Sequence, residues 1–94
     1  MAKPFANYTL GSAFTTTTTA VAIENGTYQW SIYGTWNGAS GRLQWSPNNS
    51  TWIDVDGASK SADGGVTGIP LASGWARVAM TGTATSLASK LGGI

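Results

Sequence analysis

Ninety-four residues, 41% hydrophobic, 11% aromatic and only 10% charged, suffice for one small domain with a thin core and leave no room for a second catalytic lobe. The chain has no Cys and no His, which removes disulfides, thiolate nucleophiles, imidazole bases and the commonest transition-metal ligands, and its net charge of +1 is too small to drive nucleic-acid binding by counterion release. Gly, Thr and Ser supply 13, 13 and 10 residues while Leu, Ile, Val and Phe total 16, but five Trp, three Tyr and two Phe set among β-branched residues point to a folded all-β chain rather than a disordered one.

Helical periodicity is absent nearly everywhere, and turn residues recur at intervals of about eight to twelve, the spacing of strands in a sandwich or barrel. The expectation is a single small antiparallel β-sandwich or jelly-roll-like barrel of about seven to eight strands over residues 13–94, with residues 1–12 as a strand or an N-terminal arm. In that first stretch Pro4, Phe5, Tyr8 and Leu10 follow no clean pattern. Apolar residues in a terminal segment need a surface to lie on, and a neighbouring subunit can supply it. Met1-Ala2-Lys3-Pro4-Phe5 lacks an apolar signal region, and the longest aliphatic run is Ala20-Val21-Ala22-Ile23, so no membrane contact is expected and synthesis is expected in a cytoplasm.

Residues 15–23 read as a β-branched strand ending at Glu24-Asn25-Gly26, where Asn-Gly suits a tight hairpin turn into a partner strand over 27–33. On that partner Tyr28, Trp30 and Ile32 share one face, which is assigned to the core. The threonine run Thr15 to Thr19 and the pattern Thr81-Gly82-Thr83-Ala84-Thr85 are too short for an ice-binding array and read as solvent-tolerant strand residues.

The clearest hairpin runs from Arg42 to Ser46, turns through Pro47-Asn48-Asn49-Ser50 and returns over Thr51 to Val55, with Ile53 and Val55 suited to oppose Leu43 and Trp45. Its turn resembles the Asp-box hairpin of sialidase-type propellers, with Asn48 in the place of the Asp and Ser50 in the place of the Gly. That resemblance implies a folding element, its turn capped by Asn side chains and Trp52 packed across it. A polar loop over 56–65 leads to a strand over 66–71 whose Pro70 suits an edge or a strand end. Ser73-Gly74 turns the chain into residues 75–81, with Ala76, Val78 and Met80 on one face and Trp75, Arg77 and Ala79 on the other. A last strand over 85–91 places Leu87, Ser89 and Leu91 together.

Among the carboxylates Glu24, Asp54, Asp56 and Asp63, only Asp54 and Asp56 share a strand face, and a solvated face explains them better than a catalytic pair in so small a domain. Asp54-Val55-Asp56-Gly57 begins like a calcium loop, but Ala58 stands at the next ligand position. No enzyme activity, cofactor or metal is therefore expected. The tryptophans are the boldest feature: Trp36, Trp52 and Trp75 beside Gln44, Asn37 or Asp54 would suit sugar stacking, while core and protein interface explain them more simply. Phe5, Tyr8, Leu10, Trp36 and Trp75 are the candidate contact residues.

The stretch Gly38-Ala39-Ser40-Gly41-Arg42-Leu43-Gln44-Trp45-Ser46-Pro47, then Thr51-Trp52-Ile53-Asp54-Val55-Asp56-Gly57-Ala58, a Gly-rich loop, Ile69-Pro70-Leu71-Ala72-Ser73-Gly74, Ala76-Arg77-Val78 and the closing Thr85-Ser86-Leu87-Ala88-Ser89-Lys90-Leu91, resembles small virion proteins of tailed bacteriophages. The resemblance covers roughly the last two-thirds of the chain and rests on pattern rather than on a catalytic signature. It implies a structural role on the capsid surface: a head decoration or cement protein that binds the major capsid protein, with no catalytic residues. A homo-oligomer, with a trimer favoured, fits the threefold positions of such a shell. A carbohydrate-binding or fibre and tail module for host attachment is the alternative.

Overall fold

A computed structural model describes residues 7–94, among which no helix forms and eight strands build two antiparallel sheets of four. The strands are β1 (Asn7–Phe14), β2 (Val21–Ile23), β3 (Gly26–Thr35), β4 (Ser40–Ser46), β5 (Ile53–Lys60), β6 (Gly64–Leu71), β7 (Gly74–Thr81) and β8 (Ser86–Gly93). The first sheet has the order β1-β8-β3-β6 and the second β2-β7-β4-β5.

The pairings nest. β4 pairs with β5, β3 with β6, β2 with β7 and β1 with β8, so the chain is one long antiparallel ribbon folded back at the turn between β4 and β5. Rolling that ribbon brings β3 against β8 and β4 against β7 and closes the two four-stranded sheets, which is the jelly-roll form of a β-sandwich. Only β4 and β5 are neighbours both along the chain and within a sheet.

This topology corrects the expected hairpin at Asn25-Gly26. β2 belongs to the second sheet and β3 to the first, so residues 24–25 form a corner between sheets, and neither Asn25 nor Gly26 adopts the left-handed φ of a tight turn. That conformation appears at the other Asn-Gly pair, where Asn37 (φ 50°) and Gly38 (φ 78°) form a turn closed by the Ala39 amide donating to the Trp36 carbonyl at 2.9 Å.

The core lies where the period-two pattern places it. From the first sheet come Leu10, Tyr28, Trp30, Ile32, Ile69, Leu87 and Leu91, and from the second Ile23, Leu43, Ala58, Ala76 and Val78. Trp30 is fully buried, and its indole N–H donates to Ser89 Oγ at 2.9 Å; that hydroxyl donates in turn to the Ser31 carbonyl at 2.8 Å. The one bulky polar-edged ring in the centre is thereby satisfied internally.

Three expected boundaries move. β5 does not end at Val55 but continues to Lys60: its register against β4 shifts between Arg42 and Gln44, Gly57 takes φ 77°, and Ala58 turns fully into the core. Of the two readings of residues 1–12, a strand or an arm, strand forms from Asn7 onward and runs past residue 12 to Phe14, because β8 offers a pairing edge and Leu10 is drawn into the core at 3% exposure. Residues 1–6, including Phe5, lie outside the described residues.

The threonine run is the third. Residues 15–20 are not strand; they lie along β7 beyond the short β2. Thr18 donates its amide to the Val78 carbonyl and accepts from the Val78 amide at its hydroxyl, while Thr17 accepts from the Met80 amide, each at 3.0 Å. Side-chain oxygens thus complete an edge that backbone pairing leaves unfinished.

Candidate functional site

All four sheet edges are blunted. β1 carries two register shifts and Ala13 at φ 54°, β6 carries Gly68 at φ 80° and Pro70, β5 is bulged and acidic, and β2 is three residues long with the threonine segment beyond it. Pro70 therefore does sit on an edge strand, as its missing N–H requires. Strand addition from a partner is disfavoured at such edges, which directs recognition to the sheet faces and to the ends of the sandwich.

The outer face of the second sheet holds the richest side chains. Pairing in β7 and β4 alternates core and surface, so Trp75 and Arg77 point outward beside Arg42 and Gln44, while β5 adds Asp54 and the residue before the strand is Trp52. Arg77 lies over the Trp52 ring with its guanidinium carbon 4.2 Å from the ring centroid, and its Nε donates to Gln44 Oε1 at 2.9 Å. Gln44 Nε2 donates to Asp54 Oδ1 at 2.7 Å, and Arg42 Nε donates to the same oxygen at 3.0 Å. These two donors, Gln44 first and Arg42 second, hold the Asp54 carboxyl below the usual carboxylate range. The face is a continuous polar chain from Arg42 to Trp52, fixed in place without a protein carboxylate on Arg77.

Beside it, at the open side of the sandwich between β5 and β6, Trp45, Ile53, Asp54, Val55, Pro70, Leu71 and Ala72 line a mainly apolar groove of about 280 Å³. Trp45 anchors its floor by donating its indole N–H to the Ala72 carbonyl at 3.0 Å. Ile53 opposes Trp45 as its pattern requires, yet remains 51% exposed, because the groove leaves its outer side uncovered.

The residues singled out from sequence part company. Trp75 is half-buried on the outer face of the second sheet. Trp36 packs against the core at one end of the sandwich and donates its indole N–H to Asp63 Oδ1 at 2.9 Å; the same oxygen accepts the Gly34 amide at 2.9 Å. The two bonds lower the Asp63 pKa, Trp36 contributing most. Tyr8 is half-buried, edge-on to Tyr28 with centroids 6.0 Å apart, and its hydroxyl accepts the Glu24 amide at 3.1 Å. Leu10 is interior and leaves the set of surface candidates.

In the hairpin turn Asn48 does cap: its Oδ1 accepts the Ser50 and Thr51 amides at 2.9 and 2.8 Å. Trp52, however, stacks with Arg77 rather than across the turn. Sequence pattern grouped Trp36, Trp52 and Trp75 with Gln44, Asn37 or Asp54 as a sugar-facing option; Trp36 lies instead at the end of the sandwich on Asp63, and Arg77, whose part depends on β7 lying beside β4, was not included.

No protein-family model, curated protein or solved structure matches the chain.

Proposed function

We propose that this chain is a bacteriophage virion structural protein, a capsid decoration or cement protein that binds the major capsid protein as a homotrimer and holds neighbouring capsomers together. The observation that carries the reading is the outer face of the second sheet. Trp52, Trp75, Arg42 and Arg77, residue types enriched at protein interfaces, are prearranged there on a domain whose four edges discourage strand addition. An eight-stranded jelly roll is compatible with a capsid role and equally with lectin-like ones, so the fold alone does not choose. The resemblance of residues 38–91 to small virion proteins of tailed phages supports the capsid role.

Mechanically, a cement protein needs a stiff body and many modest contacts. A sandwich whose central Trp30 is locked to Ser89 supplies the body, and repetition around a shell multiplies contacts that need not be tight one at a time. The reading is tested by weighing the isolated protein in solution and then sedimenting it with bare cognate heads. A trimer that co-sediments to saturation supports it; a monomer that stays in the supernatant at every salt concentration refutes it.

A carbohydrate-binding role in host attachment is the second reading, favoured by the placement of Trp75 and Trp52 on one face with Gln44 and Asp54. A glycan screen separates the two: sugar binding lost in Trp75→Ala, with bare heads left unbound, supports attachment over cement.

A further inference from the structure

Arg77 is the only arginine among the described residues that no carboxylate faces. Arg42 is paired with Asp54, whereas Arg77 donates its Nε to the neutral Gln44 amide and holds its guanidinium carbon 4.2 Å from the Trp52 ring centroid. Both of these contacts hold the guanidinium in place, and neither is a hydrogen bond from its terminal nitrogens. The usual outcome for a half-buried surface arginine is a flexible side chain in water. Here the fork is prepaid in conformation, which is the condition under which bidentate carboxylate binding is strongest.

Along the same strand edge lies the apolar groove, with Ile53 at its mouth and Trp45, Val55, Pro70 and Leu71 around it. Trp52 and Ile53 are consecutive, so the cationic site and the groove are reached from one strand, the first on the outer face and the second at the sheet margin. Asp54 makes no ion pair with Arg77: its Oδ1 accepts from Arg42 and Gln44, and Gln44 stands between it and the Arg77 Nε.

From this arrangement we infer that Arg77 is the anchor of the docking face and receives an Asp or Glu carboxylate of the partner protein, with an apolar side chain of that partner entering the groove beside Ile53. The inference rests on the capsid-binding reading and names the chemistry that its partner surface must offer: an acidic residue next to an exposed aliphatic or aromatic one. A protein surface is favoured over an acidic sugar because the groove lining is apolar except for Asp54, whose Oδ1 is already taken by Gln44 and Arg42, and an aliphatic side chain needs no polar partner there.

The test is a binding isotherm on purified bare heads with the wild type, Arg77→Ala, Arg77→Lys, Ile53→Asp and a control, Tyr33→Ala, which lies on the opposite sheet face at 48% exposure. Thermal unfolding of each variant is recorded first, so that loss of fold is separated from loss of contact. Arg77→Ala is expected to weaken binding roughly tenfold to a hundredfold, Arg77→Lys to recover only part of it because charge is kept and the fork is lost, and Ile53→Asp to weaken it comparably. Tyr33→Ala should bind as the wild type does. A folded Arg77→Ala variant with wild-type affinity overturns the inference and leaves the capsid reading standing, and so does an Arg77-dependent affinity for acidic glycans with heads bound independently of Arg77. Heads left bare by the wild type overturn the capsid reading itself, and this inference with it.

Discussion

Trp30 and Ser89, 59 residues apart in sequence, meet at the centre of the sandwich, where the indole N–H donates to the serine hydroxyl at 2.9 Å and both residues are fully buried. The hydroxyl donates in turn to the Ser31 carbonyl, so one small side chain satisfies the buried indole and ties it to the backbone of β3. Ser89→Ala should leave the buried indole N–H unpaired and destabilise the domain by about 2 kcal/mol, lowering Tm by roughly 10 °C in calorimetry. An unchanged Tm would mean that the relay is dispensable.

The Tyr28 hydroxyl is pushed up to about 12, first by burial and then by the neighbouring Tyr8. The folded state therefore keeps a proton that the unfolded chain releases near pH 10. The contribution is whole below pH 10 and is lost as pH rises towards 12. Urea unfolding at pH 8 and pH 11 should show about half of this loss in the wild type, and Tyr28→Phe should flatten it.

Acid acts in the opposite sense. Asp54 and Asp63 both titrate below the ordinary 3.8, so the stability they contribute is present above that pH and disappears as pH falls through their depressed folded values. Asp63→Asn should make the acid limb of the stability curve shallower, and in the wild type tryptophan emission from Trp36 should change as its partner is protonated. An identical acid limb in Asp63→Asn would show that the Trp36–Asp63 clasp does not govern acid unfolding.

Thr17 and Thr18 complete the edge of β7 through their hydroxyls. Replacing both by Val keeps shape and removes the acceptors, which should cost about 1 kcal/mol per bond and lower hydrogen-exchange protection at the Val78 and Met80 amides by roughly tenfold. It should also promote edge-to-edge association, measurable by light scattering. Undiminished protection would return these threonines to simple surface residues.

Much of this was legible in the chain because a strand buried on one side alternates. Tyr28, Trp30 and Ile32, Leu87, Ser89 and Leu91, and Ala76 and Val78 all face inward as their spacing requires, and Pro70 marks an edge. What alternation does not encode is which strand lies beside which. Apart from β4 with β5, every pairing joins segments distant in sequence, so Asn25-Gly26 resembled a hairpin turn although β2 and β3 lie in different sheets. Leu10 resembled a surface contact for the same reason, since its burial depends on β8 at the far end of the chain. On the candidate site, the tryptophans were visible as residue types. The Arg77–Trp52 stack, which gives the face its charge and rigidity, depends on β7 packing beside β4 and carries no local signature.

The most direct measurement is the temperature at which bare cognate heads rupture and release their genome, followed by a DNA-binding dye while this protein is titrated in. A cement protein docked through the second sheet should raise that temperature saturably, and Arg77→Ala should raise it less at equal concentration. Heads that rupture at one temperature whether or not saturating protein is present would contradict the account.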